Sequence, residues 1–445
     1  VSIFNFISEN YFLPLGDMIT GNSVRKCLDF LLASQWWSKD KLSDYQNYQL
    51  RVLVNHCCET VPYYYRLFKY LKLTPSDIKT KDDLYKLPIL RKDDIKREGL
   101  KNFTSTKYHN KELIFCSSSG STGEPLFYNI TKYAYSLNIA AEIRGWYWMN
   151  YRLGDRYIKL SQNPRSGLVK IIQDRISRNR YLSTNQLNTE NFRRIIDKIV
   201  SYKPKVIRSY PDPLHLLSKY VKENNYKLSV ENIVTTGNTL HDYVRKDIEE
   251  AFNSKIFDTY NCEGNPNFFE CPTHNCYHAT SEYGILEVVN EDDENIPSNG
   301  IGRLISTDIA NFSHPFIRYD TQDLVEVSSN KCSCNRNLFE IKKILGRDND
   351  IIESSSGARF IVHHFTAFFS QDNEKINRSI EQFQIIKKKN NEIDMLLKVN
   401  NNYSTLIEKY VKEYWKIKLE SAVNIVIVDS IPITKAGKRK FIINE

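Results

Sequence analysis

Apolar positions change rhythm twice along the chain. Over residues 1–105 they recur at roughly helical spacing, most clearly across 45–71, with Pro62 and Pro75 as punctuation. From about 113 to 345, short β-branched runs alternate with amphipathic stretches. The runs 157–160, 206–210, 233–236 and 255–258 predict strands, and 190–202, 213–224 and 240–252 predict helices between them. Such alternation predicts an α/β fold with ligands at the C-terminal ends of the strands. In the last hundred residues, 383–386 and 393–399 flank a polar Lys/Asn turn and predict a hairpin. A helix over 403–419 and a strand over 423–428 complete a small α+β unit. Gly346-Arg347-Asp348-Asn349-Asp350 marks the expected boundary. The reading is therefore a helical part over 1–105, a large domain continuing over 106–345, and a small C-terminal domain over 346–445.

Composition narrows the class. A chain of 445 residues is too long for one ordinary core, and 41% hydrophobic with 26% charged residues suits a soluble globular protein. The formal charge of +9 is spread through interleaved acidic and basic residues. No basic stripe is present, so nucleic-acid binding is not expected; a weak pull toward anionic ligands or an acidic membrane surface remains. No run of eighteen apolar residues exists, so no transmembrane helix is expected. The first residues carry no basic stretch followed by an apolar core, and nine cysteines is an odd number. The expectation is reduced thiols in a cytoplasmic protein.

The chemistry starts at Ser117-Ser118-Ser119-Gly120-Ser121-Thr122-Gly123, directly after the apolar run 113–116. Small hydroxyl residues and glycines allow successive N–H groups to wrap a phosphate; a solvated serine-rich turn is the alternative. The order is not that of a Walker loop. Four further segments follow: Asp258-Thr259-Tyr260-Asn261-Cys262-Glu263, Arg318-Tyr319-Asp320-Thr321-Gln322-Asp323, Gly346-Arg347-Asp348, and Thr434-Lys435-Ala436-Gly437-Lys438. Cys271 and His278, with Cys332 and Cys334, also suggest soft ligands for a closed tetrahedral zinc site, in which His274 and Cys276 compete.

The order and spacing of these segments resemble the adenylate-forming superfamily of acyl-CoA synthetases, specifically its phenylacetate–CoA ligase branch, which includes CapK-type capsule-biosynthesis proteins. The resemblance spans about residues 80–445. It implies that ATP activates a small carboxylate as an acyl-adenylate with release of pyrophosphate, after which an acceptor displaces AMP. By resemblance, Ser117 to Gly123 hold the phosphates, Glu263 binds magnesium, Asp323 binds the ribose and Arg347 supports the nucleotide. Gly237 matches an adenine-side turn, either Thr259 or Tyr260 takes the aromatic place, and Lys438 of the small domain drives adenylation. It also implies zinc on Cys271, His278, Cys332 and Cys334.

Three departures from the branch stand out. Tyr260-Asn261-Cys262-Glu263 lacks the usual glycine and hydroxyl, Gln322 replaces a glycine, and Asn349 replaces a charged hinge residue. The acceptor is coenzyme A by analogy with the ligases, or an amine or hydroxyl of a surface-polysaccharide precursor by analogy with CapK. A nucleotide-binding scaffold without turnover is a third reading. Trp146, Trp148, Tyr210 and Pro211 are acyl-pocket candidates with core packing as the alternative, and Cys27, Cys57, Cys58 and Cys116 are expected in cores.

Overall fold

The computed structural model describes residues 2–109, 113–117, 126–161, 167–184, 188–261, 267–296, 298–347, 351–370, 376, 379–432 and 440–444. Within these, the side chains of 117, 168–170, 347, 351, 359, 361, 363, 366, 367 and 370 are not described.

The N-terminal helices form where the apolar period is 3.6. Lys39–Thr60 is capped by the Ser38 side chain and buries Leu42, Gln46, Leu50, Leu53, Val54 and Cys57 along one stripe. Pro62 then opens Pro62–Leu71 at a position where its missing N–H costs nothing. This stripe is not a core of its own. Leu50, Leu53, Tyr64 and Phe68 pack with Ile285, Ile309, Phe316 and Tyr319, so the helices close over a sheet built from much later residues.

The central eight-stranded sheet has two characters. Asn179–Ser183, Tyr157–Ser161, Val206–Ser209, Asn232–Thr236 and Lys255–Tyr260 run parallel in that spatial order. The helices Leu168–Ile176, Thr189–Tyr202, Pro211–Glu223 and Asp242–Phe252 connect them. Beyond Tyr260 the alternation stops. Phe268–Glu270, Tyr277–Ala279 and Glu340–Ile341 extend the sheet antiparallel, joined in part by tight turns that need no crossover helix. A second, antiparallel sheet follows, in the order Gly284–Val289, Gly300–Asp308, Tyr319–Val327 and Lys343–Arg347.

Leu113–Ser117 pairs with Phe127–Thr131 as a hairpin that brackets the serine-rich segment. The Asn311 and Ser313 side chains both donate to the carbonyl of Asn129, at 2.8 and 3.2 Å, and tie the hairpin to the second sheet. Thr131 then caps the helix Lys132–Trp148. In the C-terminal part, Val423–Ile427, Ile393–Val399, Ile380–Lys387 and Ile442–Asn444 form a four-stranded sheet. Val362–Ser370 and Thr405–Leu419 pack on it through Phe365, Trp415 and Leu419. The Phe441 ring meets His241 of the large part at 5.3 Å between centroids.

Trp146 lies in a buried cluster with Met149, Tyr151, Val206, Val234, Phe257 and Phe269, which assigns it to a core rather than an acyl pocket. Cys27 and Cys57 are buried as expected, whereas Cys58 and Cys116 are only half-buried.

Candidate nucleotide site and cysteine cluster

The ends of the parallel strands meet the second sheet at one rim. Tyr210 follows Val206–Ser209, Gly237 follows Asn232–Thr236, and Tyr260 ends the next strand. Gly237 has φ +83°, and a Cβ there would stand 2.5 Å from the Tyr210 ring, so only glycine fits between them. Tyr260 donates its hydroxyl to Asp323 Oδ2 at 2.5 Å, joining the two sheets. The neighbouring Thr259 turns inward instead and donates to the Thr235 carbonyl at 2.8 Å. Asp323 stands opposite Arg347 in the strand register, and a Cβ on Gly346 would lie 3.8 Å from Thr239 Oγ1.

The segment from Arg318 to Asp323 is built to hold that carboxylate. Arg318 forms a two-pronged contact with Glu287, at 3.0 and 3.1 Å, and donates to the Leu87 carbonyl at 2.7 Å. Thr321 donates to the Leu304 carbonyl at 2.9 Å and accepts from the Asp323 amide at 3.2 Å. Gln322 sits at φ +62°, in the left-handed region that favours glycine, and its amide donates to Asp320. The backbone bend that a glycine makes easily is therefore present here with a side chain on it.

Tyr260, Asp323 and Gly237 thus lie along one rim, with the Arg347 backbone beside them. Ser117 ends the hairpin strand, and only its backbone is described. Ser118, Ser119, Gly120, Ser121, Thr122, Gly123, Glu263 and Lys438 lie outside the described residues, as do Asn349 and Cys262.

A second polar group lies under this rim, and sequence reasoning did not single it out. Asp258 is wholly buried; it accepts from Thr235 at 2.6 Å and from Tyr277 at 3.1 Å. Burial pushes its carboxyl up to about 7. Nearby Glu270 is held below its usual range, against its own burial, by His274 and Arg245 and by the Asp258 amide. The signal in the sequence was a carboxylate directly after Ile256-Phe257 within the strand Lys255–Tyr260.

The cysteine cluster sits on the antiparallel side of the same sheet. Cys271 follows Phe268–Glu270, and His278 lies in Tyr277–Ala279, opposite both Phe269 and Glu340. Cys332 and Cys334 arrive on the loop before Glu340–Ile341. Their ligand atoms all lie within 4.8 Å of one another. Cys332 Sγ is 3.4 Å from Cys271 Sγ, and His278 Nε2 is 3.1 Å from Cys334 Sγ. Cys276 stands beside this group, 3.6 Å from His278 Nε2, and forms a second set with His278 and Glu340. His274 turns away to Glu270. The Cys332 loop is anchored by Arg336, which lies over the Trp36 and Trp148 rings at 4.8 and 4.4 Å.

Among the described residues, no helix is long and apolar enough to cross a membrane. The fold is that of the adenylate-forming CoA ligases. A 2-hydroxyisobutyryl-CoA ligase in its postadenylation state superposes with a TM-score of 0.72 at 16% identity, covering 91% of this chain and 89% of that one. The same ligase in its thioesterification state superposes with a TM-score of 0.57, also at 16% identity.

Sequence relatives place the chain further. It is a homologue of Protein CapK of Staphylococcus aureus, 27% identical over 418 residues, which cover 91% of this chain and 89% of the relative. It is also a homologue of the phenylacetate-coenzyme A ligase of Thermus thermophilus, 23% identical over 348 residues, covering 71% and 72%. Residues 355–445 match the CapK C-terminal domain family.

Proposed function

We propose that the chain is an AMP-forming acid ligase, converting a small carboxylate and ATP to an acyl-adenylate and pyrophosphate, then passing the acyl group to coenzyme A. The observation that carries this reading is the Tyr260–Asp323 contact at 2.5 Å, made across two sheets beside Gly237. A carboxylate fixed at strand ends suits the paired hydroxyls of a ribose, and the crowding of Tyr210 against Gly237 leaves backbone for a flat base to lie on. In this reading Ser117 to Gly123 grip the phosphates and Glu263 takes magnesium. Arg347 supports the nucleotide, and Lys438 meets charge developing on the α-phosphate. The residues from Gly346 onward act as the small domain that brings Lys438 to the rim.

Cys271, His278, Cys332 and Cys334 have the donor chemistry of a structural zinc site, three thiols and one imidazole in a closed cluster. Zinc there would cross-link two segments of the large domain and take no part in the reaction. Metal analysis of protein purified without a polyhistidine tag tests this; less than about half an equivalent counts against it.

The greater coverage and identity of the CapK relative favours a second reading, in which the acceptor is an amine or hydroxyl of a surface-polysaccharide precursor. Pyrophosphate release with a panel of carboxylates, with and without coenzyme A, separates the two. Acyl-CoA formation supports the first, and turnover only with an added amine or sugar supports the second. Lys438→Ala is expected to abolish adenylation while sparing reaction of a supplied acyl-adenylate. Absence of ATP binding by calorimetry would remove both readings in favour of a scaffold without turnover.

A further inference from the structure

The first helical stretch is inside out. Ile3–Ile7, Ser8–Phe12 and Leu13–Thr20 run on as one rod with a π-turn in its middle. Apart from Leu13, which packs on the buried cluster around Leu28 and Leu137, its inward anchors are polar. Asn5 donates to the Leu153 carbonyl and to Asp155, at 3.0 and 2.9 Å, and Glu9 accepts from the Tyr147 hydroxyl at 2.6 Å. Asp17 accepts from the Arg25 amide at 2.8 Å. The outward face is apolar: Ile3 is 82% exposed, Phe6 55%, Tyr11 61%, Met18 75% and Ile19 75%. The ordinary amphipathic helix of a globular protein turns these faces the other way.

A second apolar surface lies next to it. The helix Leu168–Ile176 leaves Ile171, Ile172 and Ile176 exposed. Arg178, just past its end, lies over the Phe4 ring at 4.8 Å and so joins the two elements. Arg175 lies on the same helix, and Arg156, Arg180 and Lys198 gather around Tyr202, whose hydroxyl donates to the Arg178 carbonyl at 2.8 Å. None of these five cations forms an ion pair with a carboxylate among the described residues.

We propose that this face binds the surface of an anionic phospholipid bilayer, with the apolar side chains in the headgroup–acyl boundary and the arginines on lipid phosphates. Charge decides between a bilayer and a second copy of the chain. A two-fold contact would set the same arginines against each other, whereas an anionic bilayer satisfies both the apolar and the basic residues at once. Tyr11 and Phe6 have the amphipathic or aromatic character that favours the interface. This inference is independent of which acid the enzyme activates.

The test is flotation of the full chain with phosphatidylcholine vesicles containing about 30 mol% phosphatidylglycerol, against pure phosphatidylcholine. Binding is expected to the anionic vesicles, to fall about tenfold or more when salt is raised to about 0.5 M, and to fall similarly in Arg156→Glu/Arg175→Glu. Ile3→Ser/Met18→Ser/Ile19→Ser should lose about tenfold or more with an unchanged melting curve, since these side chains support no internal packing. Equal flotation on both vesicles, or none, overturns the proposal. A dimer by light scattering that the triple serine variant converts to monomer also overturns it, and makes the face a contact between copies.

Discussion

The two flanks of the central sheet show how one scaffold holds two kinds of polar group. On the antiparallel side, Cys271 and His278 are fully buried and fixed by strand pairing and a tight turn, and the half-buried Cys332 and Cys334 close the cluster from a loop. On the parallel side, the rim is assembled at strand ends from Gly237, Tyr260 and Asp323, and its backbone visits the left-handed region at Gly237 and Gln322. A closed cluster of soft donors suits stability, and an open rim of hard oxygens suits a ligand that comes and goes. Asp258 and Glu270 lie between them and touch elements of both.

The largest effect on stability should come from the cluster. Cys334→Ser, or removal of metal by a chelator, is expected to cost about 3 kcal/mol or more of unfolding free energy, read by denaturant titration. Cys58→Ser, outside the cluster, should stay within about 1 kcal/mol. Equal losses for the two would erase the distinction between the flanks.

The rim should behave in the opposite sense. Asp323→Asn is expected to lower kcat/KM for pyrophosphate release by about 10³-fold, roughly 4 kcal/mol, with little change in melting temperature. Tyr260→Phe, which keeps the ring and removes the donor to Asp323, should cost about tenfold. If Asp323→Asn unfolds the protein as Cys334→Ser does, the rim is structural.

Asp258 tests the region between. Folded, its carboxyl is pushed up to about 7 by burial; unfolded, it titrates near 3.8. Between those values the folded chain holds a proton that the unfolded chain has released. This group's contribution therefore makes stability fall as pH rises through the window, by about 2–3 kcal/mol from pH 5 to 8. Asp258→Asn should remove that slope in urea unfolding measured at the two pH values. A slope unchanged in the variant would show that Arg245, Thr235 and Tyr277 already stabilise the charged form.

The smallest change concerns Gln322. Gln322→Gly relieves a left-handed side-chain conformation but loosens the unfolded chain, for a net gain of up to about 1 kcal/mol. A loss of that size in stability, or a fall in turnover, would show that the glutamine side chain has a job at the rim.

Much of the architecture was legible where burial imposes a period. Thr189–Tyr202, Asp242–Phe252 and Ile393–Val399 fall within two residues of their expected spans, because one face of each must be apolar. Asn179–Ser183 went unread because an edge strand in the sequence Asn-Arg-Tyr-Leu-Ser needs little apolar alternation. The strand Phe127–Thr131 is defined by its pairing with Leu113–Ser117 across an intervening segment, which no local pattern reports.

The sequence by itself determined the alternation of strands and helices, the small C-terminal unit, and the residue types that candidate sites need. Those follow from local propensity and from the spacing of apolar and polar side chains. Only the tertiary structure decided that Cys271, His278, Cys332 and Cys334 meet and that Tyr260 rather than Thr259 reaches Asp323. It also turned the apolar stripe of the first helix outward. Contacts between distant segments depend on how sheets pair and pack, and a stripe of Ile, Phe and Met has the same period whether it faces a core or the solvent.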